Sequence, residues 1–249
     1  MSVDRPDDDD LRFQSADAHE VPAPDEADRS GTNVPGERAS QLAAHADVRA
    51  KADAAYRAQA IDAGCNRVRE TEETVVTPAM LEIEAKDADR RLIGLEFRLK
   101  GAGRLTEKVT KAVAEQPDLS YEQAFALVKD AIRYTFEYPD DRYVAGVKAD
   151  IRRLEDIGFE RVDSRNTWAS PEYKGLNSRW RVPENGQTFE VQFHTRASFE
   201  AKQVTHAAYE RLRDPATSKA EQGRLARYQR EVTARIPVPP GVMDIPDYP

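Results

Sequence analysis

Residues 176–195 carry the strongest local fold signal in this 249-residue chain. Two runs of alternating polar and apolar residues flank Asn185-Gly186, a dipeptide that favours a two-residue turn because both central positions need a positive φ. With those two residues as the loop, Arg181 faces Glu190. A slip of one residue would mix polar and apolar side chains on both faces, so the register reinforces itself. The segment therefore predicts a β-hairpin with one dry face and one polar face.

Six side chains share the polar face of the predicted hairpin: Asn177, Arg179, Arg181, Glu190, Gln192 and His194. In the same register Arg179 faces Gln192, and Asn177 faces His194. A plain solvent-exposed face is one interpretation of this surface. A histidine, an amide and a carboxylate at alternate positions, flanked by arginines, favour the other interpretation, a functional site.

Helical and extended patterns alternate along the rest of the chain. Helices are predicted over 37–63 (ended by Gly64), 78–90 (opened by Thr77-Pro78), 105–115, 121–129 (opened by Ser120), 144–157 (ended by Gly158), 198–212 and 217–235. Further strands are predicted over 95–99, 130–138 and 159–168. This order of elements predicts an α/β (α+β) fold, in which helices flank a mixed β-sheet.

Acidity is concentrated at the start of the chain. The net charge is −8, and the first 40 residues hold eleven acids and four bases, a net of −7. With four prolines and few large apolar residues, positions 1–36 are predicted to be a disordered acidic tail. A solvated tail is one interpretation, and an arm that mimics nucleic acid or contacts a basic partner is the other. At the other end, five prolines predict that 237–249 is an extended tail without regular hydrogen bonding.

Several protein classes are excluded by composition. The single cysteine, Cys65, excludes a disulfide scaffold and a cysteine-based zinc site. No apolar run is long enough to span a membrane, and no basic-then-apolar leader opens the chain. We therefore expect a cytoplasmic protein without membrane contact, with export by a specialised route as the alternative. Glycine-rich phosphate loops of the GxGxxG and GxxxxGK[ST] types are also absent.

Two carboxylates on predicted strands, Asp130 and Glu190, are candidate magnesium ligands. Mg²⁺ prefers oxygen ligands and is often held by one or two carboxylates together with substrate phosphates. Four bases precede them in the chain: Arg98, Lys100, Arg104 and Lys108. Such a cluster is suited to gripping a polyphosphate, and an ordinary charged surface is the alternative interpretation.

Five motifs, taken in order, resemble the RelA/SpoT-type nucleotide pyrophosphokinases. They are Arg98-Leu-Lys100-Gly-Ala-Gly-Arg104-Leu-Thr-Glu-Lys108, Asp130-Ala-Ile-Arg133-Tyr134, Tyr173-Lys174-Gly-Leu-Asn177, Phe189-Glu-Val-Gln-Phe-His-Thr195 and His206-Ala-Ala-Tyr209-Glu210. The likeness covers about residues 75–215 and is closest to the single-domain members, the small alarmone synthetases and their toxic relatives. No His-Asp dipeptide occurs, so the hydrolase half of the long members is not expected.

The resemblance implies a nucleotidyltransferase-like fold. We expect the chain to divide into an N-terminal helical segment over 37–72 and a RelA/SpoT-like synthetase domain over 73–236. It also implies Mg²⁺-dependent transfer of the β,γ-pyrophosphate of ATP to a 3′-hydroxyl, with release of AMP. In that reaction Asp130 and Glu190 would hold the metal, and Glu190 would accept the hydroxyl proton as general base. Arg98 would stack on the adenine of ATP.

The remaining residue roles are also implied by the resemblance. The other ATP-binding residues would be Lys100, Arg104, Lys108 and Arg133. The acceptor-binding residues would be Tyr173 (stacking on the base), Lys174, Asn177, Gln192 and His194. His206 would brace the sheet from behind.

The acceptor is left open, because the chain departs from the family pattern at Arg104, often a serine, and over 173–177. A free purine nucleotide, giving (p)ppGpp or (p)ppApp, is the leading expectation. The first alternative is a toxin that pyrophosphorylates the 3′-CCA end of tRNA. The second is a non-catalytic domain for nucleotide sensing or partner binding. Partners expected besides ATP and the acceptor are a second copy of the chain, as a homo-oligomer, or a neutralising antitoxin.

Overall fold

The computed structural model describes residues 35–249. Most of the tail predicted to be disordered, 1–36, lies outside the described residues, but its last two positions, 35 and 36, are helical. The chain divides into two compact units, Met1–Ala50 and Lys51–Pro249. The described part of the first unit, 35–50, is helical and belongs to the first helix.

Seven α-helices and five strands are described in residues 35–249. The helices are α1 (Pro35–Thr71), α2 (Thr77–Ala85), α3 (Ala102–Glu115), α4 (Tyr121–Ala126), α5 (Tyr143–Ile157), α6 (Arg196–Arg213) and α7 (Lys219–Thr233). The strands are β1 (Arg91–Ile93), β2 (Arg133–Tyr138), β3 (Glu160–Asn166), β4 (Leu176–Arg181) and β5 (Thr188–Thr195). A π-helical turn at Glu72–Val76 and 3₁₀ turns at Leu95–Phe97 and Val242–Asp244 complete the described elements.

The five strands form one mixed sheet in the order β1-β2-β5-β4-β3. Strands β2 and β5 are parallel, and the other neighbours are antiparallel. The predicted α/β fold with a mixed, helix-flanked sheet is therefore confirmed. The parallel pairing places Arg133 beside Glu190, although 57 positions separate them in the sequence.

The hairpin forms, but its predicted register is wrong by two residues. Arg179, not Arg181, faces Glu190, and Asn177 faces Gln192. The loop has four residues, because Val182 and Gln187 close it and Pro183 has no N–H to donate. Within this loop, Gly186 has a positive φ of 71°. Since the shift is an even number of residues, each side chain keeps its predicted face.

The dry face of the hairpin enters the hydrophobic core. Its residues Trp180, Val182, Phe189, Val191 and Phe193 are all fully buried. Aromatic side chains of other elements pack against the same core, including Tyr134, Phe136, Tyr143 and Trp168. Burial of this apolar surface is the main force that holds the sheet to its helices.

The first predicted helix runs past its expected end. Gly64 does not stop α1, which continues to Thr71 and is followed directly by the π-helical turn and α2. A Cβ built on Gly64 would lie 2.2 Å from ring atoms of Phe125. The glycine is therefore required for close packing inside a helix, whereas Gly158, with a φ of 104°, does end α5 as predicted.

Two other predicted elements near the N-terminal side differ from the structure. The helix expected over 78–90 ends at Ala85. The strand expected over 95–99 is a 3₁₀ turn followed by a single bridge between Leu99 and Ile132. The capping box at Ser120 is confirmed. The Ser120 hydroxyl accepts from the N–H of Gln123, and the Gln123 side-chain oxygen accepts from the N–H of Ser120.

The proline-rich C-terminal segment is hydrogen-bonded, contrary to the sequence-based expectation. Tyr248 forms a β-bridge with Ser164, and the Asn166 amide donates to the carbonyls of Val242 and Ile245. The residues of this segment that are not proline thus pair with the outer edge of β3. None of the helices in residues 35–249 is long and apolar enough to cross a membrane.

Candidate active site

A cleft of about 1740 Å³ lies over the polar face of the sheet. Among its lining side chains, α3 and the segment before it contribute Lys100, Arg104, Lys108 and Lys111, and α6 contributes Lys202, His206, Tyr209 and Arg213. The sheet and its connections contribute Asp130, Arg133, Arg165, Tyr173, Asn177, Arg179, Glu190 and Gln192. Spacings of three and four residues place Arg104, Lys108 and Lys111 on one face of α3, and the four residues of α6 on one face of that helix.

Arg133 joins the two predicted carboxylates at the centre of this cleft. Its Nε donates to Glu190 Oε2 at 2.7 Å, and one of its terminal nitrogens donates to Asp130 Oδ2 at 3.3 Å. Asp130 and Glu190 therefore lie within the span of one guanidinium group. The pairing of β2 with β5 produces this arrangement. The prediction that Asp130 lies on the strand is wrong, because Asp130 lies in the turn just before β2.

Two lysines also contact Asp130, with Lys108 Nζ at 2.6 Å and Lys100 Nζ at 3.0 Å. Lys100 reaches it because its own N–H donates to the carbonyl of Ala131 at 2.9 Å. Burial opposes ionisation of Asp130, but the two lysines outweigh it and hold the pKa of this carboxyl below its usual value. Asp130 is therefore a carboxylate at neutral pH, surrounded by three cations.

The donor set of the cleft fits Mg²⁺ held partly by substrate. Within residues 35–249, no group of three or more His, Cys, Asp or Glu side chains gathers into a metal cage. Asp130 and Glu190 would offer two oxygen ligands, and their side chains are 21% and 15% exposed. Magnesium keeps several waters and commonly uses one or two carboxylates plus phosphate oxygens, so two such ligands suffice.

Tyr173 lies at one side of the cleft and is held by its hydroxyl. The hydroxyl lies 2.9 Å from Asn177 Oδ1 and 2.9 Å from His194 Nε2. The other ring nitrogen of His194 lies 2.8 Å from the hydroxyl of Ser198, at the start of α6. A side chain at Gly175 would meet the His194 ring, since its Cβ would lie 2.7 Å from a ring carbon. The Tyr173-containing connection is therefore packed directly onto the imidazole.

Nine of the twelve predicted site residues line the cleft: Lys100, Arg104, Lys108, Asp130, Arg133, Tyr173, Asn177, Glu190 and Gln192. Three do not. Arg98 instead donates from Nε to the buried Glu72 at 2.8 Å. Lys174 turns away to the carbonyl of Trp168 at 2.8 Å, and His194 is fully buried behind Tyr173.

Helix α6 contains the site residues that sequence reasoning missed or misplaced. His206 was expected behind the sheet, but it is exposed and lines the cleft. Lys202 and Arg213 line the cleft with it and were not predicted. Their spacing from His206 and Tyr209 follows the helical period, and this is the sequence signal that could have identified them.

Glu72 forms a second buried polar cluster, away from the cleft residues. Its carboxylate accepts hydrogen bonds from the hydroxyls of Thr77 and Tyr134 and from Arg98. Burial works against its charge, but these three donors outweigh burial and lower the pKa of Glu72. The cluster ties the π-helical turn to β2 and anchors the chain that leads to Lys100.

The buried His194 makes stability depend on pH. Burial, reinforced by Lys202, holds the pKa of His194 well below its usual value, so the folded imidazole stays neutral while the unfolded one takes up a proton below about pH 6.5. We expect the free energy of unfolding to fall by about 1.4 kcal/mol through His194 between pH 7.5 and 5.5. Urea denaturation at both pH values measures it. The loss should vanish in His194→Gln and persist in His206→Gln, since His206 is exposed; equal losses in both variants would contradict this assignment.

Comparison with known proteins gives matches among solved structures. No family model and no curated protein matches the chain. The crystal structure of the complex between the Type VI effector Tas1 and its immunity protein is 17% identical, covers 71% of this chain and 95% of that chain, and has a TM-score of 0.47. The structure of small alarmone synthetase 1 from Bacillus subtilis, bound to its product pppGpp, is 14% identical. The match covers 66% of this chain and 84% of that chain, with a TM-score of 0.41. Small alarmone synthetase 2 from the same organism is 11% identical. That match covers 68% of this chain and 88% of that chain, with a TM-score of 0.46.

Proposed function

We propose that this protein is a 3′-pyrophosphokinase, which transfers the β,γ-pyrophosphate of ATP to the 3′-hydroxyl of a purine nucleotide and releases AMP. One observation carries the proposal. Asp130 and Glu190 meet over a single guanidinium, that of Arg133, in a cleft where Lys100 and Lys108 also converge on Asp130. Two carboxylates among clustered bases are the groups that phosphoryl-type transfer requires.

The α3 side of the cleft is suited to the triphosphate. Arg104, Lys108 and Lys111 lie at spacings of four and three residues, so they share one helix face towards the cleft. Arg104 and Lys108 are exposed. Triphosphate oxygens would compete with Asp130 for the ammonium of Lys108, which frees that carboxylate to act as a ligand. Arg133 would remain beside the transferred group as its guanidinium clamp.

Asp130 and Glu190 would hold Mg²⁺, which when bound neutralises the charge that develops on the phosphates. Glu190 has a second role as general base, because an acceptor hydroxyl beside it can pass its proton to the carboxylate. The hydroxyl oxygen then bonds to the β-phosphorus of ATP, and the bond from that phosphorus to the oxygen bridging the α-phosphate breaks. AMP leaves with the electron pair of that bond.

The acceptor would enter on the side of Tyr173, Asn177 and α6. Burial and Glu190 raise the pKa of Tyr173, so its ring is neutral and suited to stacking on a base. A free purine nucleotide fits this side.

A tRNA 3′ end is the second candidate acceptor, and two observations favour it. At about 1740 Å³ the cleft exceeds the roughly 300–1,000 Å³ usual for small-molecule pockets. In addition, Arg165 and Arg213 are exposed at its lining, where they are able to contact a longer phosphate backbone.

Incubation with γ-labelled ATP tests both acceptors. Purified protein is mixed with labelled ATP, Mg²⁺ and either GTP, unlabelled ATP or deacylated tRNA, and the labelled products are separated. We expect label in a nucleotide 3′-pyrophosphate together with one AMP per transfer, and none when Mg²⁺ is chelated. Label in tRNA alone would select the second candidate. Nucleotide binding without transfer to any acceptor would refute the enzymatic proposal and favour the non-catalytic one.

A further inference from the structure

Lys202 is a partly buried cation to which the proposed reaction assigns no role. It projects from α6 into the cleft, and its ammonium lies 5.4 Å from the centre of the Phe199 ring. Within residues 35–249 its ammonium forms no ion pair with a carboxylate, and its hydrogen bond goes to the side-chain oxygen of Gln192. Partial burial of a charge whose hydrogen bond goes to a neutral group costs free energy, and this suggests a function for the contact.

The contact fixes which way the amide of Gln192 points. A lysine ammonium only donates hydrogen bonds, so it requires the amide oxygen of Gln192 on its side. The amide nitrogen therefore faces Glu190 and donates to its Oε1 at 3.0 Å. The opposite amide orientation would place an oxygen against the carboxylate, which is repulsive.

Both oxygens of Glu190 are thereby held by donors. Oε1 accepts from Gln192 at 3.0 Å and Oε2 accepts from Arg133 at 2.7 Å. Two fixed hydrogen bonds define the plane in which the carboxylate lies. That plane decides where its free lone pairs point, and hence where an acceptor hydroxyl can give up its proton.

We propose that Lys202 is a positioning residue, which orients the Gln192 amide so that it holds the carboxylate of Glu190 in the geometry for proton transfer. The inference rests on the proposed function, since Glu190 is the general base there. Burial and the charge of Arg133 lower the pKa of Lys202 to about 8, so the ammonium form still predominates at neutral pH.

Substitution of Lys202 tests the proposal through kcat. In Lys202→Met we expect kcat for pyrophosphate transfer to fall about 10- to 100-fold with KM for ATP little changed, because only the geometry of the base is disturbed. Lys202→Arg keeps a donor and should recover most of the loss. The melting temperature should not fall, because methionine removes a partly desolvated charge and keeps an apolar side chain of similar length. Gln203→Met, an exposed neighbour on α6, is the matched control and should keep full activity.

A double-mutant cycle separates positioning from an independent role. If Lys202 acts through Gln192, Lys202→Met should cost almost nothing in a Gln192→Met background. Multiplicative losses in the double variant, or an effect on KM alone, would overturn the proposal.

A second readout does not need activity. The side-chain amide resonances of Gln192 in ¹⁵N NMR spectra should shift in Lys202→Met and stay in place in Gln203→Met. An enzyme that transfers no pyrophosphate would refute the proposed function while leaving this readout intact. Unchanged Gln192 resonances in Lys202→Met would refute the inference itself.

Discussion

Glu190→Gln is expected to reduce kcat/KM for pyrophosphate transfer about 1,000-fold or more while leaving the fold intact. The glutamine has the same shape but cannot take up the hydroxyl proton, and general-base catalysis alone contributes roughly 10²–10⁴-fold. It is also a weaker ligand for Mg²⁺. Arg133 keeps a hydrogen-bond acceptor at this position, so the sheet around β5 should stay in place.

The measurement is transfer of label from γ-labelled ATP, with the melting temperature recorded for each variant. Glu115→Gln is the matched control, because Glu115 also lines the cleft but pairs only at 3.7 Å with Lys111 on its own helix. It should retain nearly full activity. If Glu190→Gln kept more than a tenth of wild-type activity, Glu190 would not be the base, and the proposed mechanism would be wrong.

Gly64→Ala is expected to lower the free energy of unfolding by about 1–3 kcal/mol, the range for an overpacked core. The new Cβ would lie 2.2 Å from two ring atoms of Phe125 and 2.7 Å from a third, so the whole ring must move. Phe125 is 2% exposed and packs among other core residues, which leaves it little room. The gain in helix propensity, about 1 kcal/mol, is too small to offset this.

Gly223→Ala is the control, and its expected change in the free energy of unfolding has the opposite sign. Gly223 is exposed within α7, and a Cβ there meets nothing within 4 Å. This substitution should raise the free energy of unfolding by about 0.5–1 kcal/mol through helix propensity alone. Urea denaturation of both variants measures the two changes. A Gly64→Ala variant as stable as wild type would show that α1 does not pack on Phe125 as described.

Local patterns in the sequence already contain much of the fold. Period-two alternation assigned every residue of the hairpin to its correct face, and the Ser120 capping box and the stop at Gly158 were both correct. These features depend on side chains within a few positions of one another, so no distant partner is needed to define them. Most of the candidate site followed as well, because Asp130 and Glu190 belong to short, specific motifs.

Non-local contacts decided the rest. The register of the hairpin depended on a loop containing Pro183, and the role of Gly64 depended on Phe125, 61 positions away by sequence number. Arg98 pairs with Glu72, because a buried carboxylate is stabilised by a nearby cation. The periodicity of a segment shows which side of it is buried but does not identify what packs there. For that reason the meeting of Asp130 with Glu190, and of Lys202 with Gln192, is a property of the folded chain, produced when β2 pairs with β5 and α6 packs beside them.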